Sequence, residues 1–292
     1  MEDGEHKVLL IIADISGYTN FMTANAKVLA HAQLIITELI ETILAGFDYP
    51  VEVAKLEGDA VFMYCKLDSE EWAKPETQVR LSEQVLNAHT KFFDRVTELE
   101  QSRVCVCHAC SNMTRLRLKT VVHAGTALFH KVGTFTELAG VDVIMVHKLL
   151  KNSVNADEYV LTTGSAFDAL KLEHVMSWTT GSEDYEEFGT VPTKTYVPER
   201  EKEATLLRLK QRVLSEKIFS AARNFTRRTL GAQPIIWGLR RAPDFQHIPQ
   251  RARAMTRIVQ GVLLAGFTPL ILPLGYGAII LRESIRHFVN RV

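Results

Sequence analysis

Hydrophobic residues in the first two thirds of the chain occur either as short continuous runs or at helical spacing. The uncharged apolar run at residues 8–13 predicts a strand that is buried on both faces. Apolar positions three and four residues apart predict helices over residues 27–45 and 75–100. Two further runs, 51–55 and 60–65, predict strands of a hairpin whose turn is Leu56-Glu-Gly-Asp59.

The same alternation continues up to Pro198, where we expect the domain to end. It predicts a second hairpin around Gly125, followed by a helix, a strand, a short helix and a closing strand. The predicted segments are, in order, 115–124, 127–132, 142–152, 159–162, 165–170 and 193–197. This order favours an α+β sandwich, with helices on one face of a sheet.

Charge divides the 292-residue chain into two unlike parts, although 34 Lys and Arg balance 34 Asp and Glu overall. Residues 1–200 carry 18 basic and 29 acidic side chains, whereas residues 201–292 carry 16 basic and 5 acidic ones. This asymmetry indicates an acidic globular domain at residues 1–198 joined to a basic tail. It argues against a uniformly basic nucleic-acid-binding domain, so we expect no nucleic-acid partner.

The tail is predicted to consist of a basic helical linker at residues 199–257, an apolar segment at 258–281 and a basic end at 282–292. The apolar segment lacks charges and, at 1.5 Å per residue, is long enough to cross a hydrocarbon core of about 30 Å. Its prolines and glycines leave a kinked span, a re-entrant hairpin, a surface-lying segment and a buried hairpin as alternatives.

The arginines before the apolar segment favour a position at the cytoplasmic face of a membrane. The acidic start of the chain and the short run 8–13 do not form a secretory signal, so we do not expect a disulfide framework.

Two aspartates are the first candidates for chemistry. Asp14 directly follows the buried strand, and Asp59 follows a glycine in the hairpin turn. If the hairpin pairs with the first strand, the two carboxylates meet, and they would suit Mg²⁺ or Mn²⁺. The segment Ser16-Gly-Tyr-Thr19 would open a helix whose N–H groups hold phosphate. The alternative is a helix cap at Asp14 and a turn residue at Asp59.

Three segments resemble motifs of the class III nucleotidyl cyclases. Ala13-Asp-Ile-Ser-Gly-Tyr-Thr19 resembles their first metal motif, and Lys55-Leu-Glu-Gly-Asp-Ala60 resembles the second. Leu118-Lys-Thr-Val-Val-His-Ala-Gly125 is similar to their strand that ends in His-x-Gly. The order and spacing of the three agree with that family, and the resemblance covers about residues 7–197.

The resemblance implies a ferredoxin-like sandwich that acts as a head-to-tail homodimer on a purine nucleoside triphosphate. It implies two Mg²⁺ or Mn²⁺ ions for an in-line displacement, held by Asp14, Asp59 and the Ile15 carbonyl. Substrate-binding positions would be Gly17 and Thr19, together with the purine-contacting residues Lys55 and Glu137.

The later family motif is altered in this chain. When the motif is aligned on Gly140, Ile144 occupies the position of the Asn that stabilises the transition state. Lys148 occupies the position of the catalytic Arg. Ile144 cannot donate a hydrogen bond, and Lys148 lacks the bidentate fork of Arg. The sequence therefore supports two hypotheses, a divergent cyclase and an inactive nucleotide-binding or regulatory module anchored at a membrane. A third hypothesis is a zinc-containing membrane adaptor.

The segment Cys105-Val-Cys-His-Ala-Cys110 lies in a cysteine-rich insertion at about residues 103–114. Its four candidate ligands, Cys105, Cys107, His108 and Cys110, are of the types that bind Zn²⁺. A redox-sensing set of thiols and a loop without metal are the alternatives.

Overall fold

The computed structural model describes residues 4–101, 107–133, 135–174 and 177–198, together with a few positions between 218 and 284. Most of the predicted linker 199–257, apolar segment 258–281 and basic end 282–292 lies outside the described residues, and so does Cys105. Within the described part of the chain, we find no helix with the length and apolar character needed to cross a membrane.

The described strands form one mixed sheet. They are β1 (Gly4–Ser16), β2 (Glu52–Glu57), β3 (Ala60–Lys66), β4 (Arg117–Val132), β5 (Phe135–Ala139), β6 (Tyr159–Thr163), β7 (Thr179–Tyr185) and β8 (Gly189–Tyr196). Their order is β2-β3-β1-β4-β6-β8-β7, and β5 pairs with the end of β4. The β4–β6 pair is parallel and the other pairs are antiparallel.

The described helices are α1 (Tyr18–Ala24), α2 (Leu29–Leu44), α3 (Pro75–Gln101), α4 (His108–Asn112), α5 (Val141–Lys148) and α6 (Gly164–Ala169). Together with the mixed sheet they confirm the predicted α+β fold. Most of the predicted helical tail lies outside the described residues.

The chain divides into two compact units. The first, here called the sheet unit, comprises Met1–Tyr18, Leu39–Asp94 and Leu116–Thr205. The second unit comprises Thr19–Glu38, Arg95–Arg115 and Leu206–Val292. All strands of the sheet belong to the sheet unit, whereas the described cysteines 107 and 110 belong to the second.

The core of the sheet unit is built around β1. Residues 8–13 are fully buried, as the continuous apolar run predicts, because β1 is flanked by β3 and β4. On one face, alternate residues of these strands pack with α5 in a single apolar cluster. On the other face, His89 of α3 lies within hydrogen-bonding distance of Thr120, with its Nε2 3.0 Å from the hydroxyl. Full burial of each large aliphatic side chain contributes roughly 1.5–3 kcal/mol.

The predicted turn at Gly125 is wrong. Strand β4 runs straight through Gly125, which pairs with Val8, and the chain reverses instead at Gly133, where φ is +64°. A Cβ atom on Gly125 would lie 2.2 Å from Cγ of Asp142, so a glycine is required by the close approach of that carboxylate.

Other features also differ from the prediction. The helix predicted to extend to residue 152 ends at Lys148. Strands β5 and β7 were not predicted, because their short sequences are largely polar or exposed and lack clear alternation.

Candidate functional site

The structure brings the two predicted aspartates together at one end of β1. Asp14 lies opposite Ala60 of β3 and Lys119 of β4, and Asp59 is the residue before Ala60. The Ile15 N–H donates to the Asp59 carbonyl at 3.2 Å, which ties the hairpin turn to β1. The side chains of Asp14 and Asp59 are hydrogen-bonded to each other.

The surroundings of this aspartate pair disfavour two negative charges. Burial and the neighbouring Asp59 raise the pKa of Asp14 to about 6, against the opposing effect of Lys119. Burial also raises the pKa of Asp59. The two carboxyl groups therefore share a proton in mildly acidic solution. At neutral pH they form an anionic pair that a divalent cation would stabilise.

Two glycines shape the backbone around the aspartate pair. Gly58 has φ of +75° in the two-residue loop between β2 and β3, as a type II′ turn requires at its first central position. Gly17 has φ of +86° between β1 and α1. The predicted substrate residue Thr19 is exposed in the first turn of α1.

Lys119 is a cation next to the aspartate pair that the sequence reasoning did not single out. The strand registers place it between Asp14 and Tyr159, and its Nζ lies 5.6 Å from the centre of the Tyr159 ring. Asn152 donates to the Tyr159 hydroxyl at 2.7 Å. The sequence feature that could have indicated Lys119 is the alternation of residues along β4, which puts Lys119 on the same face as His123.

The two predicted purine-contacting residues are not brought together by the register. Lys55 is exposed and lies opposite Phe62, on the face that carries Asp14. Glu137 lies opposite His130 in the β4–β5 hairpin, which places it on the other face.

The residues of the altered motif lie on α5. Ile144 is 55% exposed, and Lys148 donates to Glu187 at 2.7 Å in an exposed ion pair. His147 donates from Nδ1 to the Val143 carbonyl, and its Nε2 lies 3.2 Å from the Glu57 carboxylate. This second contact links α5 to the hairpin that carries Asp59.

His123 lies between Thr163 and Asp142 in a hydrogen-bonded network. The three side chains are of the types that serve as nucleophile, base and acid in catalytic triads. Nε2 of His123 donates to Asp142 Oδ1, and its Nδ1 lies 3.0 Å from Thr163 Oγ1. Burial opposes ionisation of Asp142, but hydrogen bonds from His123 and Thr126 hold its pKa below the ordinary value. Thr163 is 3% exposed and its hydroxyl caps α6, so the arrangement is suited to holding β4, α5 and α6 together.

The described members of the cysteine cluster lie in the second unit. Cys107 is half-buried and Cys110 is buried. Nδ1 of His108 donates to Asn25 Oδ1 at 2.9 Å. The histidine whose nitrogen meets the two sulfurs is His31, which the sequence reasoning did not include.

Comparison with solved structures shows the fold. The adenylyl cyclase CyaB from P. aeruginosa has a TM-score of 0.52 at 14% identity, covering 68% of this chain and 98% of that one. The guanylyl cyclase Cya2 has a TM-score of 0.50 at 10% identity, covering 68% of this chain and 96% of that one. The sheet and helices therefore have the fold of nucleotidyl cyclase catalytic domains.

Comparison of sequences shows the family. Residues 36–159 match the family described as "Protein of unknown function (DUF2652)". The chain is also 31% identical over 159 residues to the "Uncharacterized protein Rv2561/Rv2562" of Mycobacterium tuberculosis, covering 54% of this chain and 71% of that protein. The chain therefore belongs to the family of the Mycobacterium tuberculosis protein Rv2561/Rv2562.

Proposed function

We propose that this protein is a divergent nucleotidyl cyclase that converts a purine nucleoside triphosphate to a cyclic nucleotide and pyrophosphate with Mg²⁺ or Mn²⁺. The observation that carries the proposal is the aspartate pair, Asp14 and Asp59, at the end of the central strand. The fold of nucleotidyl cyclase catalytic domains supports it.

The donor set fits hard divalent cations. Asp14 and Asp59 offer carboxylate oxygens, and the Ile15 carbonyl is proposed as a further oxygen ligand. In the free protein, Lys119 lowers the pKa of Asp14 by less than burial and the Asp59 charge raise it, so a bound cation would stabilise the ionised pair. When bound, two such ions supply activation of the attacking hydroxyl and neutralisation of the triphosphate.

The remaining residues are assigned to binding and orientation. Lys119, beside Asp14, is proposed to contact the phosphates, and Gly17 and Thr19 to shape the strand-to-helix connection around them. Lys55 is proposed to contact the purine. Glu137 would need a rearrangement of the β4–β5 hairpin to join it, because the register places it on the opposite face.

A second candidate function, an inactive nucleotide-binding or regulatory module, is favoured by α5. Ile144 presents an apolar side chain to solvent where a cyclase would carry a hydrogen-bond donor. Lys148 is paired with Glu187, so it must leave that carboxylate to reach a phosphate. Loss of preorganised donors of this kind typically costs a factor of 10²–10³ in rate.

We also propose that the protein forms a homodimer. The β4–β5 hairpin and the start of α5 expose large apolar side chains, a feature that marks interaction surfaces. They are Leu128, Val132, Phe135, Val141 and Ile144.

Phe135→Asp is expected to shift the mass measured by light scattering toward the monomer. Val79→Asp, at an exposed position of α3, is the matched control. A wild-type mass equal to one chain would refute the dimer.

The deciding experiment measures turnover and binding together. The full-length protein is incubated with Mn²⁺ and each of ATP, GTP, CTP and UTP, and cyclic product is identified by mass spectrometry. We expect product from ATP or GTP that is lost in Asp14→Ala and retained in Asp168→Ala, a control at an exposed position of α6. Metal-dependent nucleotide binding without product would favour the inactive module. If the protein neither binds nucleotide nor forms cyclic product, both functions are refuted.

A further inference from the structure

Three soft-metal ligands converge in the second unit, whereas both residues of the aspartate pair belong to the sheet unit. Nδ1 of His31, in the first turn of α2, lies 3.4 Å from Sγ of Cys107. The ligand atoms of His31, Cys107 and Cys110 all lie within 4.8 Å of one another. His31 is exposed, Cys107 half-buried and Cys110 buried, so the cluster lies between the surface and the interior.

These separations fit tetrahedral coordination. With zinc bonds of about 2.3 Å to sulfur and about 2.0–2.1 Å to nitrogen, a tetrahedron separates two sulfurs by about 3.8 Å and a sulfur from a nitrogen by about 3.6 Å. The His31–Cys107 separation is close to this value. Small side-chain movements would therefore complete the geometry without rebuilding the backbone.

Local structure explains why the two sulfurs lie near each other. Cys107 immediately precedes α4, and the Ser111 N–H donates to its carbonyl at 3.1 Å. The spacing Cys-x-x-Cys places Cys110 one turn further on, which is a frequent arrangement of zinc ligands.

The residue between the cysteines has a separate role. Nδ1 of His108 donates to the side chain of Asn25, which is fully buried and itself donates to the Phe21 carbonyl at 2.7 Å. These bonds hold the start of α4 against the segment that leads to α2. They make His108 a positioning residue and leave His31 as the imidazole that faces the sulfurs.

We propose that His31, Cys107 and Cys110 bind one Zn²⁺ ion, which joins α2 to α4 within the second unit. Thiolate and imidazole ligands favour zinc over Mg²⁺ or Mn²⁺. Three protein ligands leave one coordination position for a water molecule or a further side chain. Because both thiols lose a proton on binding, zinc affinity rises with pH. This site is independent of the proposed cyclase function.

The test uses the full-length protein, reduced and freed of metal with a chelator. Titration with Co²⁺ is expected to give thiolate-to-cobalt charge-transfer absorption that saturates at one ion per chain and disappears on adding Zn²⁺. His31→Ala is expected to weaken zinc binding more than about 100-fold, exceeding the effect of losing an outer hydrogen bond to a ligand. Cys107→Ser and Cys110→Ser are expected to lose part of the charge-transfer absorption.

Matched variants separate this proposal from its alternatives. Cys65→Ala, at a buried cysteine of β3, and Asp14→Ala are expected to bind zinc as the wild type does. His108→Gln is expected to weaken binding less than His31→Ala. Zinc binding unchanged in His31→Ala, or lost more completely in His108→Gln, would overturn the proposal.

A measurement on the wild type tests the zinc ligands even if some of the variants fail to fold. X-ray absorption at the zinc edge is expected to show at least two sulfur neighbours and one imidazole. A shell of oxygen and nitrogen alone, or absence of charge-transfer absorption with Co²⁺, would overturn the proposal as well. Because Asp14→Ala leaves this site intact, failure here is distinguishable from failure of the cyclase assay.

Discussion

Replacing Asp14 with Asn tests whether the aspartate pair is a destabilising feature retained for cation binding. The substitution keeps the shape of the side chain and removes its charge from beside Asp59. In the metal-free protein at pH 8, we expect Asp14→Asn to be more stable than the wild type, because ionisation of Asp14 is disfavoured by burial and by the Asp59 carboxylate. Most substitutions of a half-buried residue destabilise a protein, so the direction of this effect is diagnostic.

The magnitude follows from the pKa of Asp14, which rises from 3.8 to about 6 on folding. At about 1.36 kcal/mol per pKa unit, the shift sets an upper limit of roughly 3 kcal/mol. Since Asp14 is only half-buried, solvent screening reduces the expected gain to about 1–2 kcal/mol.

The pH dependence has a definite sign. A raised pKa in the folded state contributes stability that is fully present below pH 3.8 and is lost as the pH rises through about 6. The free energy of unfolding of the wild type should therefore fall relative to that of Asp14→Asn between about pH 4 and pH 7.

The assay is urea denaturation in a chelator from pH 4.5 to 8, repeated at pH 8 with Mg²⁺ or Mn²⁺. Metal at 100 times its dissociation constant is expected to stabilise the wild type by about 2.7 kcal/mol and Asp14→Asn by much less. Asp168→Asn serves as the control for a lost surface charge. The reasoning is refuted if Asp14→Asn is destabilised at pH 8 without metal, or if metal stabilises it as strongly as the wild type.

Two further predictions concern β4 and α5. Gly125→Ala is expected to cost more than about 2 kcal/mol in urea denaturation, because the new Cβ would lie 2.2 Å from Cγ of Asp142. Gly181→Ala, where the nearest atom is 3.5 Å away, should cost less than half as much, and equal losses would contradict the reasoning. The double variant Ile144→Asn, Lys148→Arg is expected to raise the rate of cyclic product formation at least tenfold with Mn²⁺. An unchanged rate in a protein that binds nucleotide would argue against the assigned roles of these positions.

The parts of the fold that were predictable from sequence are those specified by neighbouring residues. The apolar run of β1 and the Gly-Asp turn of the β2–β3 hairpin are local signals, and their pairing is sufficient to bring Asp14 and Asp59 together. The resemblance to the class III nucleotidyl cyclases points to the same two positions.

The parts that were missed depend on contacts between distant segments. Gly125 resembles a turn residue in sequence, and only the approach of Asp142 explains why it lies within a strand. His31 and Cys107 are 76 residues apart, so nothing in the cysteine segment itself indicated its imidazole partner. Lys119 was missed because its position between Asp14 and Tyr159 depends on two strand pairings at once.

The contact between His147 and Glu57 joins α5 to the β2–β3 hairpin, whose turn carries Asp59. Glu57 precedes Asp59 by two residues, and His147 belongs to the same short helix as the exposed Ile144. The placement of the turn that carries Asp59 therefore depends on a helix that supplies neither carboxylate.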